Sequence, residues 1–244
     1  MRRVPDFDPE ESDVSLSKLA FTRIRDAIVS GDLAFGERLS EVQIAEALEM
    51  SKAPVRTAFL ELRDRRLVTI VPQAGTYVFS PSREDVHEMS SFRAILETAG
   101  MRLSLQAARA TVLDTLATTI PRMEKALGEG NWKDYEAADM EYHLAFINNS
   151  GNSYLPQAYD LTAPAIKALR VRLQAGTGAY RKQSFGEHKQ ILRHLEAGDP
   201  DQAAEALRAH IMVINEAKLD LPEKRGSRAK ALNRSLEEYR QIFR

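Results

Sequence analysis

The sequence predicts a mainly α-helical chain in two parts: three short helices closed by a small β-hairpin, then an antiparallel all-α bundle of six to seven helices. Three observations predict it. Apolar residues recur at helical spacing along most of the chain. β-Branched and aromatic residues crowd into one stretch, "LVTIVPQAGTYVFS", from Leu67. Beyond Ser80, caps and turn residues separate helical segments and no convincing strand follows. The 244 residues, 43% apolar and 28% charged, suit a folded chain with room for two domains. There is no cysteine, which excludes disulfides, a cysteine nucleophile and thiolate metal ligands. No run approaches the roughly 18 apolar residues of a membrane span. The start, "MRRVPDFDPEESDVS", lacks the apolar core of a signal peptide, so the expected location is cytoplasmic, with no membrane partner.

In "SLSKLAFTRIRDAIVSGDL", Leu16, Leu19, Ala20, Ile24, Ala27 and Ile28 mark one helical face, and Gly31 ends it. "SEVQIAEALEM" opens with Ser40 and has Gln43 three residues later, a capping box. A break at Glu49–Met50 leads into "SKAPVRTAFLELRDRRL". If Ser51 caps this helix, Pro54 sits in its first turn, where amides have no partner inside the helix and a proline costs nothing. Val55, Phe59 and Leu62 then point inward, while Lys52, Arg56 and Arg63 share another face. Net charge is −1, yet five cations face two anions between Lys52 and Arg66, a patch suited to phosphates. Two short helices with outward cations on the second, followed by a hairpin, describe a winged helix-turn-helix over residues 14–80, its helix-turn-helix at about 40–65.

Residues 81–85 read as a linker, with Ser82 and Asp85 spaced to cap a new helix. The bundle follows at 86–219, with helices expected at about 83–109, 111–128, 131–149, 153–173, 179–197 and 200–219. Pro121 should kink or shorten its helix. Residues 220–244 form a charged tail ending in an amphipathic helix, which is either mobile or packed on a partner subunit. Five histidines occur in the chain. "DMEYH" places Asp139 and His143 four residues apart on one helix face. His188 and His210 lie at similar distances before and after the "AGDP" turn, so in an antiparallel hairpin they meet at one height. Three imidazoles and a carboxylate suit Zn²⁺, Ni²⁺, Mn²⁺ or Fe²⁺, which ligand type alone does not separate. His87 and His194 are expected at the surface.

"GERLSEVQIAEALEMSKAPVRTAFLELRDRRLV" followed by "PQAGTYV" resembles the amino-terminal domain of the GntR family of bacterial transcription regulators. The departures are Lys52 for arginine, Ala53 for threonine, Thr57 for glutamate, Arg66 for glycine, Phe35 for proline and Val42 for arginine. The resemblance implies a homodimer on double-stranded operator DNA, contacted by Ser51, Lys52, Ala53, Pro54, Arg56, Gly75 and Thr76. Arg56 would read a guanine edge, Lys52 and Ser51 would meet phosphates, and Gly75 and Thr76 would approach the adjacent groove. "FRAILETAG", "DMEYHLAFINNSGNSYL" and "FGEHKQILRHLEAGDPDQAAEALRAHI" are similar to the FadR-type effector domain of that family, the FCD domain. That similarity implies a metal on Asp139, His143, His188 and His210, and a small carboxylate effector clamped by Arg93, with an ion pair to Glu97 as the alternative role of that arginine. The expected function is ligand-responsive transcription regulation, not enzymatic turnover. A metal hydrolase using the same four ligands and a metal sensor are the competing readings.

Overall fold

A computed structural model describes residues 9–174, 178–213 and 234–244. The elements in chain order are α1 (Pro9–Ser30), β1 (Arg38–Leu39), α2 (Glu41–Ala47), α3 (Lys52–Asp64), β2 (Val68–Val71), β3 (Gly75–Val78), α4 (Arg83–Glu129), α5 (Trp132–Asn148), α6 (Tyr154–Asp160), α7 (Ala163–Gln174), α8 (Gly178–Glu196), α9 (Pro200–Met212) and α10 (Leu236–Phe243). They form two compact units, Met1–Pro81 with Gly226–Arg244, and Ser82–Arg225.

In the first unit, Ala20, Ile24, Ala27 and Ile28 of α1 are buried, whereas Leu16 and Leu19 remain 37% and 45% exposed. The core is completed from α3 by Pro54, Val55, Ala58, Phe59 and Leu62. Pro54 is the third residue of α3, and its fixed φ suits the first turn. Glu49 takes a left-handed φ of 55° at the break between α2 and α3. The strands make a three-stranded antiparallel sheet ordered β1-β3-β2, one strand more than the expected hairpin. β1 is only two residues long, too short for a period-2 pattern to betray.

The Ser40 hydroxyl accepts from the Gln43 amide at 3.3 Å, as a capping residue should. The other half of the expected box goes elsewhere: the Ser40 amide donates to the Tyr239 hydroxyl of α10 at 3.4 Å. Helix α10 packs on α2 and α1, with Tyr239 and Phe243 buried. Just before it, Arg234 donates through Nε and Nη2 to the buried Glu37 carboxylate at 2.6 and 3.2 Å. Residues 234–244 thus fold onto the amino-terminal unit of their own chain, where mobility or packing on a partner subunit was expected, and residues 220–233 lie outside the described residues. The periodicity of eight residues reveals an apolar face but not what covers it.

The second unit is all helical. Ser82 caps α4 through a full capping box with Asp85, so the helix starts inside the stretch expected as linker. The expected helices 83–109 and 111–128 are one element, kinked at Ala108 (φ −152°, ψ 44°). The helix continues through Pro121. Pro121 and Ala117, one turn earlier, are both exposed, so water can take the carbonyl that the proline leaves without a donor. The expected helix 153–173 divides into α6 and α7, and the expected end of α9 at 219 lies outside the described residues. A Cβ at Gly100 would stand 3.0 Å from the Phe146 carbonyl oxygen, so glycine permits the close approach of α4 to α5. Met101, Leu116, Met123, Tyr135, Tyr142, Phe146, Ile191 and Leu207 fill the core around the site described next. Among the described residues, no helix is long and apolar enough to cross a membrane.

Candidate functional site

Three helices bring the chemistry of the bundle together. α5 carries Asp139 and His143 one turn apart, α8 carries His188 and α9 carries His210. The turn between α8 and α9 uses Gly198 at φ 78°, then Asp199 as N-cap and Pro200 in the first turn. This hairpin sets the His188 and His210 rings 4.4 Å apart, centroid to centroid. His143 Nε2 lies 3.3 Å from Nε2 of His188 and 3.3 Å from Nε2 of His210. A metal–imidazole bond of about 2.0–2.1 Å in a tetrahedral set puts neighbouring nitrogens about 3.3 Å apart. The observed spacing therefore fits an ion. Asp139 stands beside the trio, its Oδ1 3.6 Å from His188 Nε2 and its Oδ2 4.0 Å from His143 Nε2.

The outer ring of carboxylates fixes which nitrogens are free. His143 Nδ1 lies 2.7 Å from Glu97 Oε2, and His210 Nδ1 lies 2.7 Å from Glu187 Oε2. Burial alone would raise the Glu97 carboxyl, but Arg93 and His143 outweigh it and hold it at about 2. An ionised carboxylate only accepts, so each Nδ1 carries a proton, and in a neutral ring this leaves the Nε2 lone pair for an ion. Burial, opposed by Glu97, brings His143 down to about 4, and burial with His210 holds His188 well below the usual imidazole range. Both rings are thus neutral near pH 7, as ligation requires.

Arg170 of α7 meets Asp139 Oδ2 at 2.5 Å, yet among the described residues neither Asp139 oxygen has a well-oriented hydrogen bond. Burial opposes ionisation of Asp139, while Arg170 and the histidines more than offset it and keep its carboxyl far below the usual range. Arg93 is buried, not at the surface, and donates through Nε to Glu97 at 2.5 Å, while the Tyr159 hydroxyl donates to the same oxygen at 3.0 Å. The pairing with Glu97 was foreseen; its burial was not. The places of Glu97 behind His143 and of Glu187 behind His210 carry no sequence signal, and neither do Arg170 and Tyr159 at the site. Glu97 and Arg93 have the i, i+4 spacing that signals a pair, but nothing in the sequence ties them to His143, 46 positions from Glu97. His87 is exposed and His194 half-buried. Glu187→Gln tests the outer ring with little structural risk because Glu187 is only half-buried. It should weaken Zn²⁺ binding about tenfold, measured by competition with a chromophoric chelator.

In the first unit, Ser51, Lys52, Ala53 and Arg56 are exposed along one edge of α3. Pro54 is buried and Thr76 is 9% exposed, so neither side chain is presented outward; Thr76 belongs to the inward set of β3 (Gly75–Val78), opposite Ile70. Gly75 is half-buried, and the exposed residues of the turn are Pro72 and Gln73. Arg56 is not free: its Nε and Nη2 donate to the Glu41 carboxylate at 3.2 and 2.8 Å. That pairing uses one side of the guanidinium. The hydrogens on Nη1 and the outer hydrogen of Nη2 form the end-on fork that fits guanine O6 and N7.

Residues 16–78 match the family model described as bacterial regulatory proteins, gntR family, and residues 88–212 match the FCD domain. A probable D-xylose utilization operon transcriptional repressor of Paenarthrobacter nicotinovorans is 28% identical over 194 residues, covering 78% of this chain and 84% of that protein. The Uxu operon transcriptional regulator of Escherichia coli is 28% identical over 217 residues, 81% of this chain and 84% of its own. Among solved structures, a putative GntR regulator from a Rhodococcus species superimposes with a TM-score of 0.71 at 23% identity, covering 83% of this chain and 96% of that one. The Escherichia coli protein McbR/YncC gives 0.62 at 21% identity over 82% and 93%. These two likenesses establish the fold.

Proposed function

Since the chain belongs to the GntR family of bacterial regulatory proteins and carries that family's FCD domain, we propose that it is a regulator whose operator affinity is set by a divalent metal and a small carboxylate bound in its helical unit. The observation that carries this reading is the convergence of three buried imidazoles, two of which, His143 and His210, have a carboxylate behind them on Nδ1. The three Nε2 atoms stand close enough to share one ion, with His143 Nε2 3.3 Å from each of the other two. With one, they become ligands, and Asp139 adds a fourth. The ion supplies a Lewis-acidic positive charge with coordination positions left over.

Charge supports the anionic effector. Around the histidines, Arg93 with Glu97 and Arg170 with Asp139 make two neutral buried pairs. The Glu187 carboxylate behind His210 offsets part of the charge of a divalent ion, and a small carboxylate would balance what remains. Arg93 is the proposed clamp for it, held in place by Glu97. The DNA contacts are assigned to Ser51, Lys52, Ala53 and Arg56 on α3, with Gly75 beside the wing turn. Two copies on a two-fold axis would match a palindromic operator.

To switch anything, the effector must bind the DNA-competent and incompetent arrangements unequally. The test is operator binding by Zn²⁺-loaded and chelator-treated protein, titrated with glycolate, malate and succinate on a duplex selected in vitro. An anion that acts should shift operator affinity about 5- to 150-fold, and only in the loaded protein. The same shift in metal-free protein would refute the metal as effector platform.

A further inference from the structure

The carboxy-terminal helix lies beyond both family matches, which end at residues 78 and 212. It nevertheless belongs to the compact unit that holds α3. Its anchors are spaced along the segment that leads into α2. Arg234 forks onto Glu37, and its Nη2 also donates to the Asp32 carbonyl at 2.5 Å. The buried Tyr239 hydroxyl accepts from the Ser40 amide at 3.4 Å and donates to the Arg38 carbonyl at 3.3 Å. Arg240 lies 3.8 Å from Glu46 further along α2. The middle anchor is the informative one. Ser40 is the N-cap of α2, and the next residue, Glu41, is the carboxylate that holds Arg56.

We propose that α10 is a positioning element for operator recognition, with Tyr239 holding the start of α2 so that Glu41 presents the end-on fork of Arg56. The inference rests on Arg56 being the base-reading residue. A guanidinium held by a bidentate carboxylate reaches DNA with less rotamer freedom to lose. That hold requires the first turn of α2 to stay where it is, and the backbone on either side of the turn's entry, the Arg38 carbonyl and the Ser40 amide, is bridged by one hydroxyl. Removing the hydroxyl leaves the aromatic packing of Tyr239 and Phe243, stacked at 6.0 Å, but frees the entry.

The experiment compares the full chain with Tyr239→Phe, a deletion of residues 234–244, and Arg56→Ala as reference. Binding is read by fluorescence anisotropy at fixed salt on a duplex selected in vitro by the wild-type chain and on a random duplex. Tyr239→Phe should weaken the selected duplex about three- to tenfold, the cost of ordering one long side chain, with random-duplex binding and melting temperature unchanged. The deletion should weaken it about tenfold or more. A purely structural role would lower both affinities together, in step with the folded fraction, and would overturn the proposal. Selected-duplex affinity within twofold of wild type for Tyr239→Phe, while Arg56→Ala loses it, would overturn it too. Should Arg56→Ala itself bind normally, the premise falls and the inference with it. If the deletion unfolds the head, Tyr239→Phe decides alone.

Discussion

His188→Ala is expected to cut the affinity for Zn²⁺ by more than about 100-fold, beyond the 10- to 100-fold range found when only an outer-shell partner of a ligand is lost. His188 is fully buried, its Nε2 is 3.3 Å from that of His143, and its Nδ1 has no hydrogen-bond partner among the described residues. It contributes little to the bundle except its inward nitrogen and its ring contacts. Calorimetric titration measures the loss directly. Thermal melts give an independent readout, because an ion that binds only the folded chain at 100 times its Kd stabilises by about 2.7 kcal/mol. Wild-type protein should melt later with added Zn²⁺, and His188→Ala should not. An equal rise in both would mean the ion binds elsewhere.

Arg56→Ala is expected to abolish operator selectivity while leaving Zn²⁺ binding and the bundle intact. A bidentate arginine–guanine contact contributes about 1–3 kcal/mol of discrimination. Lost from both halves of the proposed two-fold complex, this amounts to roughly a 30-fold or greater drop for the selected duplex. Random-duplex binding, which depends on phosphate charge, should fall far less. Arg56→Lys is the sharper variant. It keeps the charge but can form neither the bidentate hold on Glu41 nor the end-on fork, so it should rescue random-duplex binding without restoring selectivity. Anisotropy titrations on the two duplexes separate these outcomes, and full selectivity in Arg56→Lys would refute the assignment.

Local patterns in the sequence were the most legible part of this protein. The inward stripe of α3 follows from period, its start from the proline in the first turn, and the Ser82–Asp85 cap from capping chemistry; Ser51 holds the N-cap position of α3 but its side chain makes no cap hydrogen bond among the described residues. The meeting of His188 with His210 was legible too, because a hairpin with a marked turn converts sequence distance into height. What stayed hidden depends on packing between distant segments. Glu97 reaches His143 from another helix, and Arg170 reaches Asp139 from a third. Neither spacing carries a signal. Thr76 was placed at the wing tip from its neighbour Gly75, but strand alternation turns it inward. The tail showed an amphipathic face with no clue to what covers it, and the Ser40 capping box was half right because a hydroxyl from residue 239 competes for its amide.

The proposed divalent ion would sit among His143, His188, His210 and Asp139. Anomalous diffraction at the zinc edge, from crystals of the full chain equilibrated with Zn²⁺, tests it most directly. A single strong peak per chain inside the triangle of Nε2 atoms, with an Asp139 oxygen turned toward it, is the predicted result. An empty triangle, or a peak only at surface residues such as His87, would contradict it.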